Sequence, residues 1–225
     1  AIPILLGNKE HIKQLILENA LELDGVEIIE PAAELARMKK YAEALYQKRQ
    51  RKGVTLFEAH KLMRDRNYFG AAMVEFGEAD AMISGLTKNY ASTVKPALQV
   101  IGTEEGVNRV AGMYMMMTKK GPVFFGDTTV NVDPTAEELV DLTLLLEKSV
   151  RKFNITPRIA MLSYSNFGSN DGDVPEKTRK AVKILHEKYP DIIVDGEMQG
   201  NFAINNCLLK ENFPFSSLVD APANT

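Results

Sequence analysis

The sequence predicts an α/β protein of two lobes, each with a largely parallel sheet, holding a ligand in the cleft between them. Three observations carry that reading. Short apolar runs alternate with longer amphipathic stretches along nearly the whole chain, the pattern of parallel strands joined by helices. The alternation is interrupted near Gly106, where a Met-rich run and a tight turn announce a hairpin. Finally, Arg158 to Gly172 reads as a buried strand running into a loop rich in Ser and Gly and then into a helix. In open α/β sheets, ligands collect at such strand ends.

Length and composition set the bounds. The 225 residues are 45% hydrophobic, enough for one large or two medium domains. Net charge is −3, with 27 Lys and Arg dispersed among 30 Asp and Glu, so no basic face marks a nucleic acid or an anionic membrane as partner. The single cysteine, Cys207, allows no internal disulfide and suits a reducing cytoplasm. No apolar run reaches a membrane-spanning length, and no signal peptide opens the chain. The start at Ala1, directly in a strand and without Met, suggests a piece of a longer protein or a processed or trimmed chain.

In order, Ile2 to Leu6 is a short strand and Glu10 to Leu23 a helix, with Ile12, Leu15, Ile16 and Ala20 on one face. Val26 to Ile29 is a second strand. Ala33 to Lys48 is a charged helix ending in Lys48-Arg49-Gln50-Arg51-Lys52 before Gly53. That basic run complements the helix dipole; its competing use is an anion grip. Thr55 and Glu58 form a capping box, a further helix spans Asn67 to Phe76, and Ala79 to Ser84 reads as a strand. The segment after Gly85 places Ser84, Thr87, Lys88, Ser92 and Lys95 near that strand's carboxyl end, suited to an anion.

The domain boundary falls at about residue 106. The first lobe is residues 1–106, without a returning C-terminal segment. The second is 107–225, truncated at its end. Val107 to Thr118 and Pro122 to Asp127 should pair as an antiparallel hairpin across Lys119-Lys120-Gly121. Met113, Met115, Met116 and Met117 are expected to fill core. Thr135 and Glu138 form a second capping box, opening a helix with Leu139, Leu142, Leu146, Val150 and Phe153 on one face. After the Arg158–Gly172 stretch come a helix capped by Asp173, a strand at Asp191–Val194, a helix at Phe202–Leu209 and a last strand at Ser217–Val219.

In the loop, Ser163, Ser165, Gly168 and Ser169 offer hydroxyls and free N–H groups to phosphate or carbonyl oxygens. Asp127 and Asp195 at strand ends either orient a ligand or bind a cation, or else cap helices or pair with Arg. His11, His60 and His186 lie in charged helices and read as surface residues, and Cys207 as a small buried hydrophobe. No His/Cys metal spacing, nucleophile elbow, phosphate loop or dinucleotide glycine fingerprint is present, so neither catalytic nor metal-ligating residues are assigned.

Ala79 to Gly85 through Val94-Lys95-Pro96-Ala97-Leu98-Gln99 resembles the phosphate acetyltransferase family. Arg49 to Thr55, Asp127 with Asn131 and Pro134 to Leu139, Ala160 to Ser165, and Asp195-Gly196 match in the same order. The resemblance implies two α/β lobes, related to the isocitrate/isopropylmalate dehydrogenase-like architecture, dimers, and coenzyme A and acyl phosphate bound in the cleft. Arg49 matches a family arginine associated with coenzyme A.

A finer similarity, in Ser163 to Gly168, Asp195 to Met198 and Ala221 to Asn224, is to the phosphate acetyltransferase-like C-terminal half of bacterial malic enzymes. That branch implies a regulatory, homo-oligomeric domain sensing acetyl-CoA. The NADP and Mg or Mn of malate oxidation to pyruvate would lie in a preceding malic-enzyme domain. Active transferases carry Arg where this chain has Lys95 and a Lys near Asn166-Phe167, and their catalytic Ser-Arg pair and Asp fall beyond Thr225. The alternative implied is an active transferase interconverting acetyl-CoA plus phosphate with acetyl phosphate plus CoA.

Overall fold

A computed structural model describes residues 1–107 and 109–225, and the chain divides into two compact units, Ala1–Glu105 and Gly106–Thr225. In the first, β1 (Ile4–Leu6) and β2 (Glu27–Ile29) pair in parallel, with α1 (Lys9–Glu18) as the crossover. A 3₁₀ turn leads into α2 (Leu35–Arg49). A second 3₁₀ turn, Gln50–Lys52, ends on Gly53, whose φ of 86° only glycine adopts readily. Thr55 and Glu58 make the expected capping box for α3 (Leu56–Leu62). Asp65 caps α4 (Arg66–Glu75), which is followed by α5 (Tyr90–Val100). Tyr41, Phe69, Met63 and Leu45 centre the core, with the Tyr41 and Phe69 rings edge to face at 5.2 Å.

Lys48 shows what part of the basic run does. Its ammonium donates to the Val100 and Ile101 carbonyls at 2.6 and 2.7 Å and to Glu75 at 3.1 Å, so it caps the carboxyl end of α5 rather than of its own helix.

In the second unit, β3 (Met113–Thr118) and β4 (Gly121–Gly126) form the predicted hairpin, with Lys119 and Lys120 in the turn. Thr135 and Glu138 box the start of α6 (Ala136–Arg151). β5 (Ile159–Leu162) pairs in parallel with β6 (Val194–Met198) across α7 (Asp173–Lys188), followed by α8 (Gly200–Ala203) and α9 (Asn206–Asn212). Ile159, Met161, Val182, Leu185 and Val194 build one core, and Met198, Ala203, Leu209 and Leu218 another.

Several expectations are corrected. Ala79–Ser84 is no strand: it packs Met82 against Gly70, leaves Ile83 fully exposed and joins no ladder among the described residues. The run from Val107 becomes strand only at Met113, and Asn108 within it lies outside the described residues. The methionines do not fill core. A two-stranded ribbon leaves most of its surface uncovered, and Met115, Met116 and Met117 are 46, 55 and 71% exposed.

The strand expected at Asp191–Val194 lies further on, where pairing with β5 holds it. Gly196 is needed there, because a Cβ would stand 2.5 Å from the Met161 carbonyl oxygen. The helix over 202–209 is broken in two by Asn205, whose side chain caps α9, and this break leaves Cys207 exposed instead of buried. Gly172, not Asp173, occupies the N-cap of α7, since Asn170 Oδ1 accepts the Gly172 N–H. Ser217–Val219 curls into turns because Ser216 Oγ and Ser217 N both donate to Asp195.

Candidate functional site

The predicted ligand residues fall into two groups, one in each unit. In the first, the start of α4 gathers them. Asp65 caps the helix through the Asn67 N–H and accepts from Lys88 Nζ at 2.5 Å. Burial would raise the Asp65 pKa, but the Lys88 ammonium and the Asn67 N–H outweigh it and hold the carboxyl below its usual range. Asn67, 5% exposed, accepts from Ser84 Oγ at 2.7 Å and donates to the Ser92 carbonyl at 3.2 Å. Ser84 and Lys88 are thus drawn onto Asp65 and Asn67, two residues the sequence reading did not single out.

The remaining three of this group are differently placed. Thr87 and Lys95 are exposed, and neither side chain has a partner among the described residues. Arg49 closes α2 and is half-buried; among the described residues it pairs with no carboxylate, and its buried Nε has no hydrogen-bond partner. A buried guanidinium N–H is costly to leave unmatched, so Arg49 would gain from an acceptor that reached it.

In the second unit, the loop after β5 folds around a carboxylate of the protein itself. Glu197 is fully buried on β6. Its Oε1 accepts from Ser165 Oγ at 2.9 Å, Gly168 N at 2.8 Å and Arg179 Nη1 at 2.9 Å. Burial alone would push the Glu197 carboxyl up. The Gly168 N–H, its own N–H, the Ser165 hydroxyl and Arg179 outweigh it, so the group stays ionised and titrates below the ordinary range.

An ionised acceptor fixes the direction of the hydroxyl protons. Ser165 donates to Glu197, so in its 3.1 Å contact with Ser169 it accepts, and Ser169 in turn accepts from the Asn166 N–H. The backbone is engaged likewise: Ser163 N bonds to Met198 O, Phe167 N to Glu197 O, Ser169 N to Asn166 O and Ser165 N to Ser163 Oγ. The expected cradle of free N–H groups is therefore corrected. In this fold the donors of Ser165, Gly168 and Ser169 already serve Glu197 and the loop. Asp195 is engaged too, with Oδ2 accepting from Ser216 and Ser217 and Oδ1 from Gly196 N. Asp127, at φ 47°, accepts from Asn131 through N and Nδ2, an internal use that is neither a helix cap nor a pairing with Arg.

Glu197 and Arg179 were missed. The available signal was a glutamate between Val194 and Met198 in a buried strand, which demands a cationic partner. Phe167 anchors the loop from the other side, its ring 4.8 Å from Phe213 and 5.0 Å from Phe215.

A profile of phosphate acetyl/butaryl transferases matches residues 1–224. The chain belongs to that family. The phosphate acetyltransferase of Synechocystis sp. is 39% identical over 217 residues, covering 96% of this chain and 31% of that protein. The NADP-dependent malic enzyme of Escherichia coli is 37% identical over 222 residues, covering 97% of this chain and 29% of that enzyme. A phosphotransacetylase structure from Streptococcus pyogenes superposes with a TM-score of 0.84 at 36% identity, covering 99% of this chain and 68% of that one. The chain thus spans less than a third of the length of the two curated relatives. Among the described residues, no helix is long and apolar enough to cross a membrane.

Proposed function

We propose that this phosphate acetyl/butaryl transferase family chain binds an acyl-CoA and phosphate as part of an acyltransferase. In the reaction, a phosphate oxygen attacks the thioester carbonyl as the bond to sulfur breaks, giving acyl phosphate and CoA. Arg49 carries the reading: its buried, unmatched Nε and its lack of a carboxylate partner among the described residues suit an anionic ligand such as CoA. Lys95 and Thr87 are further contacts, and Lys88 and Ser84 reach the ligand if they exchange their bonds to Asp65 and Asn67 for it. Such groups act by orientation and electrostatic stabilisation, without a covalent intermediate. The test is acetyl phosphate formation by the full-length protein that carries this chain. Turnover should be measurable, with Arg49→Ala raising the KM for CoA by about tenfold or more. Absence of acetyl phosphate would overturn the reading.

A second reading is a regulatory domain of a malic enzyme that senses acetyl-CoA. It is supported by the 37% identity to the Escherichia coli NADP-dependent malic enzyme. Lys95 before Pro96 and Asn166-Phe167 in the loop add support, since these depart from the cations expected of an active transferase. Under this reading acetyl-CoA shifts malate oxidation by the full-length protein, and no acetyl phosphate forms.

A further inference from the structure

We infer that Arg179, held in place by Glu197, is the ligand-facing cation of the Ser163–Ser169 loop and takes a phosphate-type oxyanion. The inference rests on the proposed binding of phosphate or CoA and adds a residue that the family resemblance did not assign. It follows from where most of the loop's backbone and hydroxyl donors go. The N–H groups of Ser163, Ser165, Asn166, Phe167, Gly168 and Ser169 all have partners within the protein. The hydroxyl protons of Ser165 and Ser169 run inward along the chain that ends on Glu197.

Arg179 is different. A guanidinium carries five N–H donors, two of them on Nη1. Nη1 bonds to Asn170 O at 3.1 Å and to Glu197 Oε1 at 2.9 Å. The donors on Nη2 and Nε have no partner among the described residues, and the side chain is 31% exposed. Two fixed contacts thus orient a planar fork at the loop, leaving its other edge for a bidentate acceptor. Ser163, half-buried, accepts from the Ser165 N–H and keeps its own hydroxyl proton available.

Glu197 neutralises the charge of Arg179, so recognition here depends on directed hydrogen bonds more than on net charge. Glu197 is a positioning residue; Arg179 makes the contact.

The experiment titrates inorganic phosphate and, separately, CoA into the full-length protein by calorimetry. Arg179→Gln alone strands a buried carboxylate and should lower Tm by roughly 10 °C. Arg179→Gln with Glu197→Gln keeps the Ser165 and Gly168 hydrogen bonds without either charge and should recover most of the lost Tm. The double variant should still bind the affected ligand about tenfold to a hundredfold more weakly. Loss confined to phosphate identifies the free anion as the occupant, and loss confined to CoA identifies the phosphates of the nucleotide. A double variant with recovered Tm and original affinity for both would make the pair purely structural and overturn the inference. If the unaltered protein binds neither probe, the functional reading falls and this inference with it.

Discussion

Asn67 Nδ2 donates to the backbone carbonyl of Ser92, the one carbonyl in α5 that Pro96, four residues on, has no N–H to serve. A proline inside a helix frees an acceptor, and a buried amide from a neighbouring helix takes it. The same Asn67 accepts from Ser84, so one side chain closes two gaps at once.

Replacing Asn67 with alanine should therefore destabilise the protein by about 1–2 kcal/mol in urea unfolding, through two lost hydrogen bonds whose outer partners, Ser84 and Ser92, can turn to water. Pro96→Ala supplies the missing N–H, so the Asn67→Ala penalty should shrink by about 1 kcal/mol in that background. Strictly additive effects would sink the connection.

The acid limb of stability should depend on Glu197. Its folded pKa lies below the unfolded value of about 4.3, so its contribution is complete above that pH and is lost as pH falls through the folded value. Thermal melts of Glu197→Gln between about pH 3 and 7 should show a flatter acid limb than the parent. An unchanged slope would mean that the buried carboxylate does not couple to folding.

Gly126 at the end of β4 faces α6 so closely that an added Cβ would stand 1.9 Å from Leu146 Cδ1. Gly126→Ala should cost about 1–3 kcal/mol by overpacking, and most of that should vanish in a Leu146→Ala background. Equal penalties in both backgrounds would place the strain elsewhere.

Cys207 is exposed on α9. Under native conditions it should react with a maleimide within minutes, read by mass spectrometry of the peptide containing it. Protection until denaturant is added would show that this surface is covered.

What was legible in the sequence was mostly local. The capping boxes at Thr55 and Thr135, the Gly53 stop and the Lys119-Lys120 hairpin are each written within a few residues, and each stands in the structure. The α/β class followed from periodicity in the same way. Errors came where an apolar run had to find a partner. Among the described residues, Ala79–Ser84 has strand composition but no ladder, and the Met113–Met117 run has core composition but only one neighbouring strand.

The loop after β5 was located correctly, yet its chemistry was misread because composition does not say which way a donor points. Ser165 and Gly168 look outward in a sequence. Only the placement of Glu197, 32 residues beyond Ser165, turns them in. Arg179 was hidden for the complementary reason: on α7 it is one basic residue among Lys177, Lys180 and Lys183, and its distinction is a contact with a strand it precedes.

Asn224 joins two sheets that share no ladder with each other. Its carbonyl accepts from Phe124 N on β4, while its N–H and side chain bond to Arg158 and Thr156 beside β5, contacts spanning 66 and 68 residues of sequence. On a ribosome, the second unit can form its hairpin and its helices early, but the bonds that tie β4 to the start of β5 through Asn224 form only after residue 224 has emerged. Closure of that long loop is slow relative to local structure. Until then the Thr156 and Arg158 backbone groups that Asn224 engages stay open on the nascent chain, and that interval is when a chaperone would have most to hold.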